Sequence, residues 1–197
     1  MKKRIRKSFY TLVEIMTVIV IAAILFGIGI PAFTTMIQGS NMTVSIRQLS
    51  AKMQAARAYA VTNRCKVAVL MVTTGVKEDY CYSAYRVCVV DDSNNWQEWI
   101  EDESWKTLPK GVIRNASNGV TNTVSVGNVN ASEIGGTGSS YPALIFDSKG
   151  QLTGNSSVIT LRQGRYVSSQ AVYTDPTSHQ LTVNRYSGKV SVSVPES

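Results

Sequence analysis

From Ile15 to Phe33 the chain runs through 19 residues without one charge. As a helix rising ~1.5 Å per residue, such a run is ~28 Å long, close to the ~30 Å hydrocarbon core of a bilayer. A single carboxylate, Glu14, stands at its head, and the basic leader Met1-Lys-Lys-Arg-Ile-Arg-Lys7 precedes it. A secretory signal peptide fits poorly, because its apolar region is usually ~7 to 15 residues and ends at a small-x-small cleavage site. An ionised carboxylate at the edge of an apolar span is costly unless paired, so Glu14 is read as a functional group. The run therefore predicts a membrane-spanning helix followed by a folded domain.

Charge supports that division. The formal charge of +7 reflects 20 Lys and Arg against 13 Asp and Glu; Lys2, Lys3, Arg4, Arg6 and Lys7 carry five of the cations, leaving 15 against 13, or +2, for the remainder. The basicity belongs to the leader, where it holds that end on the cytoplasmic side. By the same arithmetic the net charge is weak evidence for nucleic-acid binding.

Within the span, Gly27, Gly29 and Pro31 gather helix-weakening residues at the outer end and predict a kink or a melted turn. After Gln38-Gly39, Ser40 or Asn41 is placed to cap a second helix running to Asn63. Ile46, Leu49, Met53, Ala56 and Ala60 recur at spacings of three and four and mark its core face, while Arg47, Lys52, Arg57 and Arg64 fall on a solvated side. From Cys65 the pattern turns to strands: 65–72 pairs with 80–90 through a turn near Gly75, then 96–100, 106–114, 143–146, 158–161, 166–173, and 180–186 with 189–194 across Ser187-Gly188. Asn115 to Tyr141 is dense in Asn, Ser, Thr and Gly and reads as a long partner-facing loop with one short strand at 120–126. The sum is an α+β domain of about eight strands.

Chemistry-bearing constellations are sparse. The lone histidine, His179, sits in the polar stretch Asp175-Pro-Thr-Ser-His179, read as an exposed turn, with no Gly-x-Ser-x-Gly elbow for it to serve. Asp91-Asp92 with Asn94 and Asn95 lacks the spacing of a calcium loop and reads as a solvated turn, and Gly135-Gly-Thr-Gly138 lacks the Lys of a phosphate loop. No catalytic residue, metal site or cofactor is expected. Of the cysteines, Cys81 and Cys88 either close a short disulfide loop across a strand pair, leaving Cys65 free, or all three are reduced thiols packed as small hydrophobes.

The segment Tyr10-Thr-Leu-Val-Glu14, the basic leader and Pro31 together resemble the N-terminus of type IV prepilins and type II secretion pseudopilins, whose hallmark is Phe-Thr-Leu-x-Glu opening an apolar helix. Ala56-Arg57-Ala-Tyr-Ala60, Ile145 to Gly154 and Leu181 to Val192 are similar to passages of the GspH/FimT-type minor pseudopilins; residues 90–140 match no named passage. The resemblance implies a long N-terminal hydrophobic helix whose C-terminal half packs on an antiparallel β-sheet head. It divides the chain into a leader, 1–9, a transmembrane and assembly helix, 10–37, and a head, 38–197. It further implies cleavage by prepilin peptidase between Phe9 and Tyr10, N-methylation of Tyr10, and assembly through Glu14 and Pro31. Phe9 stands where the family has Gly, which predicts slow cutting or a retained leader.

Partners implied are other pilin or pseudopilin subunits, the peptidase, the inner-membrane assembly platform and the cytoplasmic membrane, with the head periplasmic or in an extracellular filament. The resemblance also carries a nucleic-acid alternative, since some FimT-type minor pilins take up DNA through a Gly-Arg-x-Arg element. The matching place reads Gly188-Lys189-Val190-Ser191, and Arg162, Arg165, Arg185 and Lys189 are the candidate phosphate contacts if strand pairing gathers them.

Overall fold

The computed structural model describes residues 11–101, 103–117, 119–137 and 140–193, with side chains omitted at 28–35, 37 and 38. Phe9, Tyr10 and the leader lie outside the described residues. One helix, α1, spans Leu12–Asn63. Ten strands follow: β1 Lys66–Met71, β2 Ala84–Val90, β3 Trp96–Trp99, β4 Lys106–Thr107, β5 Val112–Arg114, β6 Val124–Val126, β7 Tyr141–Phe146, β8 Ser157–Val167, β9 Gln170–Val183 and β10 Val190–Ser193. The chain divides into two compact units, residues 1–39 and 40–197.

Helical structure continues through Gly27, Pro31 and the stretch 38–41, so neither the melted turn nor the second start at Ser40 or Asn41 is found. A proline deprives a helix of one hydrogen bond, and that loss need not open a turn. Asn41 acts differently from a cap: its side-chain amide donates to the Lys110 carbonyl at 3.0 Å.

In the larger unit two antiparallel sheets share one core. The first has the order β3-β2-β1-β7-β6, with β4 also on β2; the second has the order β10-β9-β8-β5. Met42, Leu49, Met53, Ala56 and Ala60 of α1 are buried against Val67, Val69, Leu144 and Phe146 of the first sheet and Ile159, Leu161, Leu181 and Val183 of the second. The helix face expected from spacing is the face that packs, and the fold is α+β with the helix on antiparallel sheets.

The strand pair β1 and β2 is apolar on both faces, as a run such as Val67-Ala-Val-Leu-Met-Val72 requires. Its second face carries Ala68, Leu70, Ala84 and Cys88 and is covered by Val126, Val129, Ala131 and Ile134, with Trp96, Trp99 and Trp105 packed beside them. Asn115 to Tyr141, expected to be a long partner-facing loop with one short strand, thus supplies the lid of a second core. Arg86 pins that lid. Its guanidinium stacks 3.7 Å from the Trp99 ring centroid, donates to the Glu103 carbonyl at 2.7 Å and pairs with Glu133 at 3.1 Å.

The two edges of the first sheet meet. Trp96 N–H donates to the Gly127 carbonyl at 2.9 Å and Gly127 N–H to that of Asn94 at 3.2 Å. A Cβ on Gly127 would lie 2.8 Å from Asn95 Oδ1, so glycine permits the closure.

Strands β8 and β9 form one hairpin, with the turn residues Ser168 and Ser169 at φ +51° and +64°. Opposite Gln163 the β9 strand loops out between Tyr173 and Ser178. The polar stretch read as a turn is therefore a bulge inside a strand, where Asp175 accepts the Thr177 N–H at 2.7 Å. His179 lies in β9 opposite Leu161, half-buried.

Candidate assembly site

Helix α1 starts where its first turn is satisfied. Thr11 Oγ1 accepts the Glu14 N–H at 3.2 Å and the Thr11 carbonyl accepts the Ile15 N–H at 3.2 Å. Thr-x-x-Glu is the sequence of a capping box, and an acid in the first turn complements the helix dipole. Glu14 thus has a local structural role and is also exposed.

Beyond it the helix has no polar face. Leu12, Val13, Met16, Val18, Ile19, Val20, Ile24, Leu25 and Phe26 are all more than half exposed, and they point in every direction around the axis. A helix apolar on all sides is covered by other protein or by lipid. Among the described residues no helix is long and apolar enough to cross a membrane. Pro31 lies among residues 28–35, outside those whose side chains are described.

The four cations named as phosphate contacts are not gathered. Arg185 lies at one end of the second sheet, its N–H donating to Ser156 Oγ at 3.0 Å. Arg162 and Arg165 follow six and nine residues along the β8 direction, ~20 and ~30 Å away at ~3.3 Å per residue. Arg162 is engaged locally, 4.2 Å over the Tyr173 ring and donating to the Asp175 carbonyl at 3.2 Å. Lys189 is exposed beside Gly188, in the loop between β9 and β10. Strand pairing separates the set because its members occupy both ends of a long hairpin.

Cys81 and Cys88 are not joined; all three cysteines are free thiols. Cys88 lies four residues into β2, ~13 Å from its start, well beyond the ~7 Å that a disulfide spans between Cα atoms. Cys81 is held before that start, its Sγ 3.6 Å from the Val76 carbonyl. Burial pushes the Cys88 thiol up to about 12. Cys65 is half-buried and its thiol is also raised by desolvation.

Arg57, expected on a solvated face, is a clamp. Its Nε donates to the Gly150 carbonyl at 3.0 Å, tying the helix to the turn after β7. Gly188, at φ +60°, packs on the same side chain: a Cβ there would lie 2.4 Å from Gly150 O and 2.7 Å from Arg57 Cδ. In Ala56-Arg57-Ala-Tyr-Ala60 the two outer alanines are buried and let the helix approach, and the arginine fastens both turns. Lys52 is likewise engaged, in an ion pair with Glu103. Neither role shows in helical spacing, because each partner is far along the chain.

Asp91 caps its own turn, accepting the Asn95 N–H at 2.7 Å, and that bond holds its carboxyl below the usual range. Asp92 pairs with Lys66 at 2.9 Å. Among the described residues no cluster of three His, Cys, Asp or Glu is arranged to hold a metal.

An apolar helix start opened by Thr-x-x-Glu is thus followed, along the same helix, by a face buried against two antiparallel sheets, an α+β architecture. Residues 45–188 match the family described as Type II transport protein GspH, and the chain belongs to that family. A search of curated proteins finds no match. Among solved structures the chain is similar to the minor pseudopilin EpsH of the Vibrio cholerae type 2 secretion system, at 12% identity over 79% of this chain and 98% of that one, with a TM-score of 0.45. A second EpsH structure has 14% identity over 80% and 96%, TM-score 0.47. The type IV minor pilin FimU of Pseudomonas aeruginosa has 15% identity over 79% and 92%, TM-score 0.46.

Proposed function

We propose that this chain is a minor pseudopilin or minor pilin: a non-enzymatic subunit of a type II secretion pseudopilus or a type IV pilus. Its apolar helix anchors it once in the inner membrane, and the head of residues 38–197 faces the periplasm or joins the filament. Membership of the GspH family supports the class. The observation that carries the assembly role is the helix from Leu12 to Phe26, apolar and exposed on all sides with Glu14 as its one charge.

In this reading prepilin peptidase cuts between Phe9 and Tyr10, slowly because Phe9 replaces Gly, and the new amine of Tyr10 is methylated. Glu14 of one subunit then meets the Tyr10 ammonium of a neighbour. An unpaired carboxylate in hydrocarbon is expensive, so the pairing sets the register between subunits at the assembly platform. Pro31 supplies the compliance that lets packed helices bend.

Glu14→Ala should leave membrane insertion intact and abolish incorporation into filaments, measured by fractionation and by recovery of sheared filaments. Incorporation at the wild-type level would refute the pairing. Mass spectrometry of the mature N-terminus tests the cut site and the methylation in one measurement.

A further inference from the structure

Most strand edges in the head are occupied. The first sheet closes on itself between Asn94–Trp96 and Gly127, and β5 is backed by Tyr82, whose carbonyl accepts the Arg114 N–H at 2.9 Å. Strand β10, by contrast, has one edge without a backbone partner among the described residues. It pairs with β9 in the register Val190 with Val183 and Ser193 with Gln180. Asn184 N–H donates to the Lys189 carbonyl at 3.0 Å, which puts that opposed pair at a hydrogen-bonded position of the ladder. Antiparallel ladders alternate, so Ser191 and Ser193 bond inward to β9, and Val190 and Val192 turn their N–H and C=O groups outward.

Within Val190-Ser-Val-Ser193 there is no charge, proline or bulge, the devices by which edges usually avoid pairing; Lys189 and Pro195 flank it. Val192 is 49% exposed. Beside this edge an open groove of ≈ 470 Å³ runs between Arg57, Ala58 and Val61 of α1 and Gly188, Lys189 and Val190. Arg57 and Lys189 make no ion pair with a carboxylate among the described residues.

We propose that β10 is a self-pairing edge, along which two copies of this chain join antiparallel about Val192 and merge their four-stranded sheets. A two-fold interface must be self-complementary. The sequence 190–194, Val-Ser-Val-Ser-Val, reads the same in both directions, so Val192 meets Val192 of the second copy and Ser191 meets its Ser193. The chain continues past Ser193 as Val-Pro-Glu196-Ser. In the same register Glu196 of the second copy comes level with Gly188, next to Arg57 and Lys189. The groove thus meets its opposite charge in the segment that the pairing would bring to it, which favours a second copy over an unrelated strand. The proposal stands independently of the filament reading and concerns the head alone.

Full-length protein in detergent carrying Val192→Cys, oxidised with copper phenanthroline, should form a dimer whose digest contains the peptide bearing position 192 disulfide-linked to a second copy of itself. Tyr186→Cys, at a position even more exposed but off the edge, should not. On the Val192→Cys background, Glu196→Lys should slow cross-linking about tenfold, two weak ion pairs being reversed per dimer, and adding Lys189→Glu should restore it. Cross-linking of Val192→Cys no faster than that of Tyr186→Cys, or only to a different protein, overturns the proposal. A charge reversal without effect overturns the register on which it is built.

Discussion

The two parts of helix α1 obey opposite rules. Between Leu12 and Phe26 apolar side chains point in all directions and are exposed; from Met42 to Ala60 burial recurs every three or four residues, and Met42, Leu49, Met53, Ala56 and Ala60 lie in the core. The second part finds its partner within the chain, and the first leaves its apolar surface exposed. One continuous helix can therefore be a folding element over part of its length and stay uncovered over the rest. Helical propensity does not distinguish the two roles; the width of the apolar stripe does.

The largest effect expected from this contrast is at Leu49. Leu49→Ala should cost the head about 3 kcal/mol, because the site is enclosed and cannot collapse, whereas Ile19→Ala should leave the head's stability within about 0.5 kcal/mol of wild type. Thermal melting of the two variants side by side measures the difference, and equal losses would break the comparison. A smaller effect sharpens it on the second core. Arg86→Met removes the guanidinium that donates to the Glu103 carbonyl and stacks on Trp99. It should cost about 2 kcal/mol and expose residues 90–140 to limited proteolysis before the rest of the head.

The smallest effect is at the Asp91 turn. Its carboxyl titrates below the ordinary value, so the stabilisation is complete above about pH 4 and is lost as pH falls through the lower folded value. The stability difference between wild type and Asp91→Ala should therefore shrink as pH falls below about 4, followed by urea unfolding at successive pH values.

The packed face of the second part of α1 was legible from the spacing of Leu49, Met53, Ala56 and Ala60, and the strands from their Val and Tyr content. The continuity of the helix across 38–41 was not, because Gly39, Ser40 and Asn41 have the composition of a stop and a cap. The second core was missed for a different reason. Its lid is polar in composition, and Val126, Val129 and Ile134 are scattered through Asn, Ser and Gly. A signal existed in β1, where six consecutive apolar residues, Val67 to Val72, demand cover on both faces. For the candidate site, Glu14 was legible as an isolated acid beside an apolar run. The dispersal of Arg162, Arg165, Arg185 and Lys189 depended on β8 and β9 being a single long hairpin, whose Ser168-Ser169 turn lacks the usual Asn-Gly signature.

The Thr11 cap has a consequence for how such a subunit matures. Among the described residues, the first helical turn closes on Thr11, Glu14 and Ile15. Under the proposed function, a cut on the N-terminal side of Thr11 would leave these two hydrogen bonds in place. It would change the charge at that helix end without touching the bonds that close its first turn.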